Sequence, residues 1–185
     1  ILNLEPGTHL TLEKKIVNKG TINGIGTSDK KINIKGPKGI ESTGLLNFEY
    51  TDFSNFILDE YLIHTFDIAN SSFKHCSFSE VNNYTNTPLF NSNSLITFEN
   101  TVFKNIKNET ALFSLFRGNG TIEIANSNFD NLKGNNLTFG TKNNWHANSP
   151  NFKIRNSNFN RINTAEIFIN NITTEASNQD NVLEN

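Results

Sequence analysis

The chain lacks the framework of a disulfide-stapled domain, because Cys76 is its one cysteine in 185 residues. It has no methionine and begins at Ile1. We therefore expect a processed product or an excised piece of a longer, secreted protein. No apolar run approaches the roughly 18–20 residues of a membrane-spanning helix, so this segment is not expected to insert directly into a bilayer. An excess of one charge is missing too. Lys and Arg number 16 against 18 Asp and Glu, giving a net charge of −2 and a pI near 6.1. That balance supplies no bulk attraction to nucleic acid, which is excluded as an expected partner. No window shows an apolar period of 3.6 residues, and Asn, Thr, Ser and Gly interrupt every segment, so helices are not expected.

Two residue types are abundant instead. There are 16 Phe and 34 Asn. A low-GC genome favours both, but such a bias would scatter them, and here they fall in register. The stretches FEYTDFSNF (48–56), FKHCSFSEV (73–81), FENTVFKNI (98–106), IANSNFDNL (124–132) and IRNSNFNRI (154–162) align. Their starting positions keep a near-constant step that lengthens only before the last copy. The sixth position is always Phe: Phe53, Phe78, Phe103, Phe129 and Phe159. The fourth is always small: Thr51, Cys76, Thr101, Ser127 and Ser157. Apolar pairs recur between the motifs, at Leu62–Ile63, Leu89–Phe90, Leu112–Phe113, Leu137 with Phe139, and Ile167–Phe168.

Short apolar–polar alternations at this period, joined by polar corners and without helices, predict an all-β chain folded as a parallel β-helix, or solenoid. About five to six coils of about 25 residues are expected. The repeats F-x-N-[ST]-x-F-x-x-Φ (Φ, apolar), over about residues 20–170, resemble those of the right-handed parallel β-helix superfamily. Its members include pectate lyases, phage tailspikes and bacterial surface adhesins. The resemblance implies a right-handed coil. Residues 1–172 read as one β-helix domain, with irregular opening coils over 1–40 and regular coils over 41–172. The polar stretch 173–185 reads as a cap or tail.

Coils of such a solenoid stack about 4.8 Å apart, so residues one period apart become neighbours. The five repeat Phe residues are expected to form an aromatic stack inside, and Phe48, Phe73 and Phe98 a second. Asn100, Asn126 and Asn156 are expected to form a side-chain ladder at a corner, where Asn tolerates a left-handed backbone. Tyr50 and His75 occupy the same column and should break that ladder. His75 reads as a cap on the polar column in preference to a metal ligand, and Cys76 as a small corner residue. Gly24 stands about one period ahead of Tyr50, which suggests one earlier coil. Outward beside this corner run Glu49, Lys74, Glu99, Ala125 and Arg155, a column of alternating sign.

Chemistry is harder to find. Superfamily lyases and glycosidases use clustered acids. Here the six Asp (29, 52, 59, 67, 130 and 180) share no column, and no paired-acid spacing is visible. No Ser–His–Asp order, phosphate loop or Cys/His cluster is present either, so no catalytic residue, metal or cofactor is expected. The longest repeat carries the insertion GTKNNWHANSPN (140–151), with the single Trp. Trp145, His146, Lys142 and Asn144, with Lys153 and Arg155 following, form a candidate binding patch. Trp145 could equally fold back over the solenoid wall. The expected role is an extracellular or cell-surface adhesin or passenger-type module contacting a host or cell-surface glycan or protein. The alternative is a fragment of a polysaccharide-active enzyme or tailspike.

Overall fold

The structure is a computed structural model that describes residues 1–66, 70–85, 87–108, 113–117, 120–134, 136–139, 151–163 and 166–169. These form three parallel sheets wound into a solenoid, one strand per sheet in each coil. The first sheet stacks Leu2–Leu4, Thr21–Ile25, Leu45–Glu49, Ser71–Lys74, Leu95–Glu99, Thr121–Ala125 and Asn151–Arg155. The second stacks His9–Thr11, Ile32–Gly36, Thr51–Leu58, Ser77–Asn83, Val102–Asn108, Asn128–Lys133 and Asn158–Asn163. The third stacks Ile16–Asn18, Ile40–Ser42, Ile63–Thr65, Phe90–Ser92, Phe113–Arg117, Asn136–Phe139 and Glu166–Ile169. Each sheet has seven strands, and the regular turns number about four, from Leu45 to Phe139, against the five to six coils expected. Residues 1–40 read as irregular opening coils, yet their strands join the same sheets in parallel register.

Period-two alternation fixes which side faces in. Leu46 and Phe48 of the third coil are buried while Leu45, Asn47 and Glu49 face outward. The repeat Phe rings stack along the interior with centroid separations of 4.8, 5.4, 4.6 and 4.5 Å from Phe53 to Phe159. Phe48, Phe73 and Phe98 stack beside them at 5.6 and 5.2 Å. The two columns meet edge to face, as between Phe48 and Phe53 at 78°. Ring separations near the strand spacing let one sequence register satisfy backbone ladders and aromatic packing together.

Register corrects two details. Gly24 pairs with Phe48, not with Tyr50. A Cβ on Gly24 would lie 2.5 Å from Phe48 Cδ1, so the glycine leaves room for the last ring of that stack. In the third sheet Phe116, and not Phe113, stands opposite Phe90, with a bulge between Ser114 and Phe116.

Candidate functional site

The corner after the first sheet is built by a polar column and a small-residue column. Tyr50, His75, Asn100, Asn126 and Asn156 all have positive φ, between 45° and 52°. The left-handed backbone turns the chain sharply here and suits Asn. Asn156 donates from Nδ2 to Asn126 Oδ1 at 3.3 Å. Lower in the column Tyr50 and His75 stack their rings at 4.7 Å and 7°. Ring contact there takes the place of amide bonding.

The residue after each corner is buried and turns its side chain back. Thr101 Oγ1 donates to the Glu99 carbonyl at 3.2 Å, Ser127 Oγ to that of Ala125 at 2.9 Å, and Ser157 Oγ to that of Arg155 at 2.8 Å. Cys76 Sγ does the same with Lys74 O at 3.3 Å. Burial pushes the Cys76 thiol up to about 12, so it is a neutral donor.

This corner borders the outer face of the first sheet, where a depression of about 430 Å³ opens. Its floor is Ala125, with Glu99 in register on the coil before and Arg155 on the coil after. Thr97 and Glu123 form the adjacent in-register pair, and Asn126 and Asn156 line the corner side. Lys74 Nζ lies 3.4 Å from Glu99 Oε2, and Lys153 Nζ 2.9 Å from Glu123 Oε1. All four charged groups are partly exposed. Such pairs contribute little stability, roughly 0–1 kcal/mol, and a carboxylate can accept more than one hydrogen bond.

Of the sequence-predicted binding residues, the structure brings Lys153 and Arg155 to this face. Lys142, Asn144, Trp145 and His146 lie outside the described residues. The paired acids that the sequence did not disclose are Glu99 and Glu123, on adjacent coils and open to one depression. They escaped a search by column because Glu123 falls opposite Thr97, one column over from Glu99. Lys74 and Ala125 were visible in the outward column, but nothing in the sequence marked Ala125 as a floor.

A second left-handed column was missed altogether. Asn55, Glu80, Asn105, Asn131 and Arg161 have φ between 51° and 58° and bend every strand of the second sheet from the third coil on. Asn131 Nδ2 donates to Asn105 Oδ1 at 2.7 Å, and Asn105 Nδ2 to the Glu80 carboxylate. Arg161 closes the described column by binding Asp130 through Nε at 2.8 Å and through Nη2. That guanidinium holds the Asp130 carboxyl below its ordinary value. The sequence signal is Phe-x-Asn at 53–55, 103–105 and 129–131, interrupted by Glu80 and Arg161.

Among the described residues no group of three His, Cys, Asp or Glu could hold a metal ion, and no helix is long and apolar enough to cross a membrane. No family model, curated protein or solved structure matches the chain.

Proposed function

We propose that the chain is a binding and structural module displayed outside the cell, of the adhesin or passenger type that bacterial β-helix proteins use. In this reading it contacts a host or cell-surface glycan or protein with the outer face of its first sheet. The observation that supports it is the depression over Ala125, rimmed by carboxylates, cations and corner amides on a scaffold locked by two aromatic stacks. Rigid placement of exchangeable hydrogen-bonding groups limits the entropy lost on binding. A glycan array probed with wild type, Arg155→Ala and Glu123→Gln tests the reading. Both variants should keep the wild-type melting temperature and lose most of the signal. Absence of wild-type binding to glycans and to surface-protein extracts, or variants that bind unchanged, would overturn it. Antibody labelling of unpermeabilised cells checks the location.

One observation favours a second reading, a polysaccharide-active fragment related to the pectate-lyase-like β-helix enzymes. Glu99 and Glu123 open on the same depression from adjacent coils, and paired carboxylates are what glycoside cleavage requires. Incubation with polygalacturonate or alginate, with and without calcium, should then release new reducing or unsaturated ends. Glu99→Gln and Glu123→Gln should abolish that release. No release from any polysaccharide tested leaves the binding module as the reading.

A further inference from the structure

The charges around the depression over Ala125 are already engaged. Its lining carries two cations and two anions, Lys74 and Arg155 against Glu99 and Glu123, so it has no net charge. Lys74 pairs with Glu99, Glu123 pairs with Lys153, and Arg155 has an interaction of its own. An ionic ligand would have to break one of these contacts to be matched. The uncharged groups are in a different state. Asn126 and Asn156 are exposed along the corner side, and one side-chain bond joins them, from Asn156 Nδ2 to Asn126 Oδ1. Among the described residues nothing engages Asn126 Nδ2 or Asn156 Oδ1. The rim of the depression thus keeps one neutral donor and one neutral acceptor unspent. Its floor stays low because Ala125 stands in a column that otherwise runs Glu49, Lys74, Glu99 and Arg155. Alanine is a poor strand former, so propensity does not explain its place there.

We propose that the depression takes an uncharged glycan, a chain of neutral hexoses without uronic acids or amino sugars. One hydroxyl accepts from Asn126 Nδ2, another donates to Asn156 Oδ1, and a sugar ring lies over Ala125. The proposal rests on the reading that this face binds a ligand, and adds that the ligand carries no charge. A hydroxyl both donates and accepts, so it answers either amide atom. It also adds to the ion pairs without breaking them, since a carboxylate accepts more than one bond and a guanidinium has several donors. The volume of about 430 Å³ lies in the range of small-molecule sites, roughly 300–1,000 Å³. A peptide would need apolar anchor pockets, and the lining offers only Ala125 and the buried Phe98.

The test is calorimetric titration of this chain with tetrasaccharides of different charge. Cellotetraose and mannotetraose are the neutral probes, tetragalacturonate the anionic one and tetraglucosamine the cationic one. At least one neutral probe should bind about tenfold tighter than both charged probes. Its affinity should not change when about 0.5 M salt is added, because no ion pair forms or breaks. Asn126→Asp removes the amide donor, while its carboxylate still accepts from Asn156 and its backbone tolerates the left-handed corner. That variant should weaken the neutral probe about tenfold at an unchanged melting temperature, and Ala125→Leu, which fills the floor, should do the same. A charged probe binding as tightly as the neutral ones, or an affinity that falls with salt, would overturn the inference while leaving glycan binding intact. An array signal confined to charged glycans, with neither neutral probe bound, would overturn it as well. No signal from glycans or from surface-protein extracts would overturn both readings. A neutral Gly-Asn-Ser-Gly peptide binding as tightly as the neutral sugars would reassign the site to protein and sink the glycan class.

Discussion

Cys76 stands where the other four repeat coils carry a hydroxyl, and its sulfur makes the same pair of contacts. It donates to the Lys74 carbonyl and approaches the Phe48 carbonyl at 3.6 Å, as Thr101 Oγ1 approaches Phe73 O at 3.3 Å. Cys76→Thr should therefore change stability at neutral pH by no more than about 1 kcal/mol. Alkali should separate the two proteins. The folded thiol holds its proton up to about 12, against 9.0 for an unperturbed thiol. The stability it contributes is complete below pH 9 and is lost as pH rises toward 12. Melting temperatures across that window should fall more steeply for wild type than for Cys76→Thr, and parallel curves would refute the assignment. Ser71 presents the opposite case. It is buried between Leu46 and Ile96 in register, and its Oγ is the one buried side-chain polar atom without a partner among the described residues. Ser71→Val removes that orphan and adds apolar volume to the column. A gain of about 1 kcal/mol in a urea titration is expected, and a loss would mean that the hydroxyl has a partner.

The elements of this fold are corners as much as strands. Each left-handed column sets a bend that the coils from the third on repeat, and a residue without φ > 0 tolerance costs about 1–2 kcal/mol there. Asn105 lies in the second column with φ 53° and bridges Glu80 and Asn131. Asn105→Gly keeps the backbone permissive and should cost about 1 kcal/mol, from lost side-chain bonds. Asn105→Val adds a β-branched side chain at that φ and should cost about 3 kcal/mol or more. Equal losses for the two, read by thermal melts, would place the energy in the amide contacts and not in the backbone. The sequence disclosed the first column because three of its five members are Asn followed by a small residue. It hid the second because that column sits inside strands, where period-two alternation continues on both sides of the bend. Glu80 and Arg161 further masked it, since only the structure shows that Arg161 turns to Asp130. The depression was hidden for a related reason. A column is visible along the sequence, whereas the meeting of Glu99 with the neighbouring column at Glu123 depends on how the coils are offset.

At the scale of the molecule each described strand pairs only with the strands of the coils before and after, so stability should add largely coil by coil. Phe103 lies between Phe78 and Phe129 and is fully buried, whereas Phe159 stacks on Phe129 and is 8% exposed. Phe103→Ala should cost about 3–5 kcal/mol, and Phe159→Ala clearly less. The register permits a stronger test of the same logic. Strand Ser71–Lys74 pairs residue for residue with Ile96–Glu99, without a bulge. Excising the segment 75–99 joins Lys74 to Asn100 in the same column, so the corner, the buried Thr101 and the Phe stack all close on the coil below. Phe53 then meets Phe103 directly. The shortened chain should keep its β-sheet circular dichroism and unfold in one transition at a lower temperature. Excising only 75–86, about half a coil, shifts the inward Phe residues out of their columns and should leave no cooperative transition. If both deletions melt alike, the coils are not interchangeable units, and the repeat read from the Phe register does not describe what holds the molecule together.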